Sequence, residues 1–138
     1  LMDVLEIRAS LEGLGASLAA ERRNDEDIKN LEELEVEFEE AVRTQNIDML
    51  LKKDIEFHEC IFKAANNKKL EKMINTLWEQ VQRFRITYVS DSNASLSLID
   101  EHQSILNAIK EGNIADSKKF AIKHIEKAEQ FMLEHCTK

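Results

Sequence analysis

Three observations predict an all-α fold, an antiparallel bundle of about six helices. The 138 residues contain no proline and only three glycines, so little interrupts a helix. Apolar residues recur at three- and four-residue spacing through most of the chain. Clusters of β-branched residues are few, and no stretch reads as a strand. A chain of this length forms one domain with a substantial core, and no internal repeat or low-complexity linker divides it.

The first helix is expected from Met2 to Arg22, with Val4, Leu11, Leu14 and Leu18 on one stripe and Arg8 beside it. The second starts near Asn24 or Asp25 and carries Ile28, Leu31, Leu34, Glu35 and Phe38 inward, while its other glutamates form a solvated face. After a turn over Thr44–Ile47, the third runs from Ile47 to about Ala65 and presents Leu50, Leu51, Asp54, His58, Ile61 and Phe62. Asn66 and Asn67 break the chain and cap the fourth helix, in which Leu70, Met73, Ile74, Leu77, Val81, Phe84 and Tyr88 share a face. Arg85 falls on the edge of that face and Arg83 nearly opposite. The polar stretch Ser90–Ser97 reads as a loop. Helix five groups Leu98, Ile99, His102, Ile105, Leu106 and Ile109 and stops at Gly112; helix six, from Ile114 or Ala115, turns Phe120, Ala121, His124, Ala128 and Phe131 inward.

The net charge of −8 argues against a broad phosphate-binding surface on this segment. Cys60 and Cys136 lack a paired-cysteine spacing and read as reduced thiols, which points to a cytoplasmic location. No apolar run is long enough to span a bilayer, and the N-terminus lacks a signal-peptide layout.

The polar residues on apolar faces carry the chemistry. Asp54 and His58 are four residues apart, so on a helix they project from one face, turned by about 40° and separated by about 6 Å along the axis. His102 and His124 interrupt the buried faces of two later helices. Burying one carboxylate and three imidazoles without compensation costs several kcal/mol, whereas one divalent cation satisfies their lone pairs together. Asp54, His58, His102 and His124 are therefore the candidate metal ligands. The donor set suits zinc first, and would also suit nickel, manganese or iron. His135 lies about 16 Å beyond His124 along its helix and reads as a partner for the helix C-terminus. Cys60 is turned away from the Asp54/His58 direction.

The same residues carry a family resemblance. Glu6-Ile7-Arg8-Ala9-Ser10-Leu11-Glu12 resembles a Glu-Leu-Arg-x-x-Leu-Glu signature, followed by Leu18-Ala19-Ala20-Glu21. Asp54-Ile55-Glu56-Phe57-His58 is similar to an Asp-x-x-Phe-His motif with Asn67 at its following asparagine, and Glu101–Ile109 resembles a Glu-His-x-x-Ile-Leu-x-Ala-Ile box. These are features of the C-terminal ligand-binding domain (FCD) of FadR-type regulators in the GntR superfamily of bacterial transcription factors. His58 and His102 are separated by 43 residues, and His102 and His124 by 21, in the family's order. Asn113 replaces the usual Asp after Gly112, and Lys68 stands where a proline often follows the asparagine; both positions are in turns.

The resemblance implies an FCD-type bundle that holds a divalent metal through Asp54, His58, His102 and His124, with a small organic acid in the remaining coordination positions. It implies a homodimer and a winged helix-turn-helix domain N-terminal to Leu1, through which operator DNA is bound. For the acid, an inward guanidinium from Arg8 or Arg85 is the expected clamp, with Asn67 and Tyr88 completing the pocket. Arg8 also pairs with Glu12 at i,i+4, Arg85 also covers the core edge, and Asn67 also caps the fourth helix. Two further classes stand beside this effector-sensing domain. One is a metal-dependent, hydrolase-like protein, disfavoured because no spare inward acid or base is evident once four ligands are used; the other is a metal-free helical interaction module.

Overall fold

The computed structural model describes residues 2–135; Cys136 and Leu1 lie outside them, and with them the expectations placed there. Six helices follow one another: α1 (Met2–Arg22), α2 (Asp25–Arg43), α3 (Ile47–Ala65), α4 (Lys68–Ser90), α5 (Ser92–Lys110) and α6 (Ile114–His135). No strand occurs among the described residues, and none of these helices is long and apolar enough to cross a membrane.

Local chemistry sets the boundaries. Asn24 and Asp27 form a reciprocal capping box that starts α2, and the Asn46 side chain accepts from Met49 N–H to start α3. Asn66 ends α3 in the left-handed conformation (φ 51°), and Asn67 accepts from Leu70 N–H to start α4. Gly112 (φ +71°) stops α5, and Asn113, in place of an aspartate, still accepts from Asp116 N–H at 3.0 Å. Arg22 and Arg23 reach from the end of α1 to the C-terminal carbonyls of two other helices, Ala65 on α3 and Ile109 and Lys110 on α5.

Three expectations need correction. The polar stretch Ser90–Ser97 is not a loop, because a single residue, Asp91, separates α4 from α5. Its carboxylate accepts from the amides of Asn93 and Ala94, so one cap does the work assigned to a loop, and Ser95 bonds back to Ser92 O within the helix. In α1 the expected stripe flanks the buried face rather than forming it: Val4, Leu11 and Leu18 are half-buried against the core and Leu14 is exposed, while Leu5, Arg8, Glu12, Gly13, Gly15, Ala16, Ala19 and Ala20 are buried. The helix contacts α3, α4, α5 and α6, and this closeness selects small residues. A Cβ added at Gly15 would lie 2.6 Å from the Phe62 ring, and one at Gly13 2.7 Å from Ile122. On α4, Met73 is exposed and Trp78 is buried.

Two large apolar clusters divide the core. Near one end Ala16, Ala19, Ala20, Leu31, Phe57, Ile61, Ile105, Leu106 and Ile109 pack together; near the other, Leu5, Phe38, Leu50, Val81, Val89, Leu98 and Met132 do so. Buried polar side chains lie along α1, α2, α3, α4, α5 and α6: Arg8, Glu12, Glu35, Asp54, His58, Arg85, His102 and His124. Polar groups this deeply buried require partners.

Candidate metal centre

The three histidines converge from three helices. One ring nitrogen of each of His58, His102 and His124 lies within 4.8 Å of the others. His58 Nε2 and His124 Nε2 face each other at 3.3 Å. Asp54 sits against two of them, its Oδ1 3.1 Å from His102 Nε2 and 3.6 Å from His58 Nε2. The fully buried His102 Nε2 has no hydrogen-bond partner among the described residues, although Asp54 Oδ1 lies 3.1 Å from it.

This geometry fits a divalent cation. Two nitrogens bound at about 2.05 Å to a tetrahedral centre stand about 3.3–3.4 Å apart, close to the His58–His124 separation. Two neutral Nε2 lone pairs facing each other repel unless a cation or proton lies between them. The orphaned His102 nitrogen needs the same third party.

The other edge of each ring is occupied. Nδ1 of His58 lies 3.1 Å from Glu12 Oε1, Nδ1 of His102 3.0 Å from Glu35 Oε2, and Nδ1 of His124 2.8 Å from Glu101 Oε1. Ionised carboxylates only accept hydrogen bonds, so they favour Nδ1–H and leave Nε2 as the lone-pair nitrogen. Glu12 also accepts from Arg8 Nε at 2.9 Å and from Trp78 Nε1 at 3.1 Å. Glu101 is additionally hydrogen-bonded by Ser97 and lies 3.7 Å from Lys127 Nζ.

Charge and burial compete at each group. Burial raises the Glu12 and Asp54 carboxyls, but the neighbouring histidines and arginines outweigh it and hold both below the usual range. At Glu35 burial wins over the hydrogen bond to His102 and pushes the carboxyl up. Burial resists charging of His102, yet Asp54 and Glu35 hold its imidazole up at about 9. Burial takes His124 down to about 4 against its bond to Glu101, with His58 and His102 adding repulsion.

A small cavity adjoins the histidines, lined by Arg8, Asp54, His58, Arg85, Tyr88 and His124, and closed by apolar side chains of α5 and α6. Its volume is about 10 Å³, room for roughly one water. Arg85 Nε lies 3.2 Å from Asp54 Oδ2 without hydrogen-bond alignment, and its buried Nη2 has no partner among the described residues. The guanidinium lies over the Trp78 ring at 5.3 Å. Arg8, Arg85 and Tyr88 thus reach the same space. Asn67 is not in the cavity lining, and its side chain caps α4. Two larger grooves, about 300 Å³ between α3 and α4 and about 590 Å³ where the α2–α3 turn meets the α4–α5 junction, contain no histidine, whereas one of about 200 Å³ between α5 and α6 is lined by His124 and Glu101 with Lys123 and Lys127.

Residues outside the cluster behave as their positions imply. Exposed His135 donates from Nδ1 to Phe131 O at 2.9 Å. Half-buried Cys60 is a free thiol between α2 and α3, and burial pushes it up to about 11. Sequence reasoning missed Trp78 and the imidazole-holding roles of Glu12, Glu35 and Glu101. The available signal was that Glu35 shares a helical face with Leu31 and Phe38, and that Glu12 follows Arg8 by four residues.

Comparison with known proteins agrees with the fold and the motif order. Residues 3–127 match the FCD domain family. The HTH-type transcriptional regulator LutR of Bacillus subtilis is 28% identical over 134 residues, covering 94% of this chain and 60% of that protein. Among solved structures, Streptococcus agalactiae GntR superposes with a TM-score of 0.79 at 26% identity, covering 94% of this chain and 57% of that one. E. coli McbR/YncC superposes with a TM-score of 0.88 over 97% of this chain and 64% of that one; at 18% identity, this likeness concerns the fold alone. The chain spans less than two thirds of each of these proteins.

Proposed function

The chain belongs to the FCD domain family of GntR-type regulators, and from that premise we propose that it is the effector-sensing domain of a bacterial transcriptional regulator. Its relatives regulate transcription, and this is a regulatory domain rather than an enzyme, which removes the hydrolase-like alternative. In this reading Asp54, His58, His102 and His124 hold a divalent metal, zinc foremost, and a small carboxylate is the effector. The observation that carries it is the convergence of the three histidines, two of them against Asp54, while Nδ1 of each is tied to a glutamate.

When bound, the cation supplies a positive docking point for an effector oxygen. The chain's own residues do the rest. Arg85 has a buried Nη2 without a partner, and it offers charge-assisted hydrogen bonds to a carboxylate in the adjoining cavity. Arg8 stands on the cavity wall with its Nε engaged by Glu12, and Tyr88 contributes a hydroxyl. Asn67 stays with its capping role. Because the cavity holds about one water, the effector is small or the helices around it part to admit it.

Parting α4, α5 and α6 is the route by which binding changes the bundle. An effector shifts a conformational equilibrium only through differential affinity for its states. We place the site in a homodimeric, cytoplasmic regulator whose N-terminal winged helix-turn-helix domain grips operator DNA, in keeping with the acidic charge of the present domain. The test is elemental analysis of the purified domain together with a melting screen of small carboxylates, with and without chelator. One divalent ion per chain and a carboxylate response that chelation removes are expected. A metal-free domain whose melting ignores chelator would leave only the interaction-module reading.

A further inference from the structure

We propose that Glu12, Glu35 and Glu101 are positioning residues of the metal centre, each taking the Nδ1–H of one histidine so that three Nε2 lone pairs face a common point. This rests on the reading of the three histidines as metal ligands.

The pairing runs across the bundle. Glu12 on α1 holds His58 on α3, Glu35 on α2 holds His102 on α5, and Glu101 on α5 holds His124 on α6. An imidazole on a helix has two ring orientations and two neutral tautomers, and only one combination aims an Nε2 lone pair inward. Packing fixes the plane but not the edge: Phe57 stacks on His102 at 4.3 Å, yet an aromatic face cannot distinguish Nδ1 from the carbon-rich side of the ring. A carboxylate accepts and does not donate, so it supplies the missing choice. Burying Glu12 and Glu35 and half-burying Glu101 in an apolar bundle is unfavourable unless each meets such a need.

The three are not equivalent. Glu12 is itself fixed from three helices, accepting from Arg8, His58 and Trp78. Glu101 is shared with Ser97 and Lys127 and is 11% exposed in its side chain. Glu35 has one side-chain partner, His102, and its Oε1 is buried without any among the described residues. With no other hydrogen-bond partner among the described residues, Glu35 is the least anchored of the three, so the Nδ1 edge of His102 is the most sensitive to its loss, while Asp54 and Phe57 still hold the rest of the ring.

The test compares the domain with Glu12→Gln, Glu35→Gln and Glu101→Gln, and with Glu33→Gln on the exposed side of α2 as control. Zinc affinity is measured by competition with a chromophoric chelator, and histidine tautomers by ¹⁵N spectra of the zinc-loaded protein. Each of the three variants is expected to bind zinc about 10–100-fold more weakly while Glu33→Gln is unchanged. The unaltered protein is expected to show protonated Nδ1 and metal-shifted Nε2 at His58, His102 and His124. Wild-type affinity in all three variants, or zinc carried on Nδ1 in the unaltered protein, overturns the positioning role and leaves the metal site standing. No zinc binding by the unaltered protein overturns the metal site and this inference with it. The tautomer measurement needs no variant, so a substitution that fails to fold does not remove the test.

Discussion

Replacing His124 by alanine removes one nitrogen from the cluster and separates a metal ligand from a packed histidine. In the unaltered domain, a metal at hundredfold excess over its dissociation constant stabilises the native state by about 2.7 kcal/mol. For a domain of this size that raises the melting temperature by about 8–11 °C. His124→Ala also leaves Glu101 without its imidazole donor, although Ser97 and Lys127 remain beside the carboxylate. That loss lowers the stability of the metal-free variant by about 1–3 kcal/mol. The deciding quantity is therefore the difference between metal-loaded and chelated melts within each protein, followed by circular dichroism at 222 nm. The difference should vanish in His124→Ala and persist in His135→Ala, whose imidazole only bonds Phe131 O at the end of α6. A full metal shift in His124→Ala, or none in the unaltered domain, would refute the reasoning.

The metal-free domain should be most stable near pH 6.5. His124 is held at about 4 against an ordinary 6.5, so between those values the unfolded chain binds more protons and stability rises with pH. His102 is held up at about 9, so the native state keeps its proton above pH 6.5 and stability falls as pH rises towards that value. Each limb is at most about 3 kcal/mol, readable by urea unfolding, and a steady climb in stability from pH 7 to 9 would contradict it. Arg85→Ala should retain the metal-dependent melting shift and lose the response to carboxylates; retention of both removes Arg85 from the effector site. Gly15→Ala, whose new Cβ would press to 2.6 Å on the buried Phe62 ring, should lower stability by about 1–3 kcal/mol in chemical denaturation without weakening zinc binding. Unchanged stability would mean that the ring moves aside freely.

Helices were legible in this chain wherever apolar spacing and a cap agreed. Asn24, Asn46, Asn67 and Gly112 mark boundaries that need no tertiary information, because each serves its own backbone neighbours. The stretch Ser90–Ser97 misled because serine and aspartate favour turns and caps alike, and only the geometry at Asp91 shows one cap ending the matter. The α1 stripe was right only at its flank, because α1 touches four other helices and close approach puts small residues such as Gly15 and Ala16 at the centre of the buried side.

At the site, His58, His102 and His124 were legible as polar interruptions of apolar faces. Their glutamates were not, since Glu12 lies 46 residues from His58 and Glu35 lies 67 residues from His102. Helical periodicity can place Glu35 inward beside Leu31 and Phe38, but it carries no information about which side chain awaits it there. Trp78 was hidden for the same reason, its hydrogen bond to Glu12 spanning 66 residues.

The most direct test of the convergence is the anomalous difference density of a crystal of this domain grown with zinc. A single strong peak about 2.0–2.1 Å from the Nε2 atoms of His58, His102 and His124 is expected, with an Asp54 oxygen at similar range. Zinc bound elsewhere on the chain, or reached through Nδ1 of these histidines, would contradict the account.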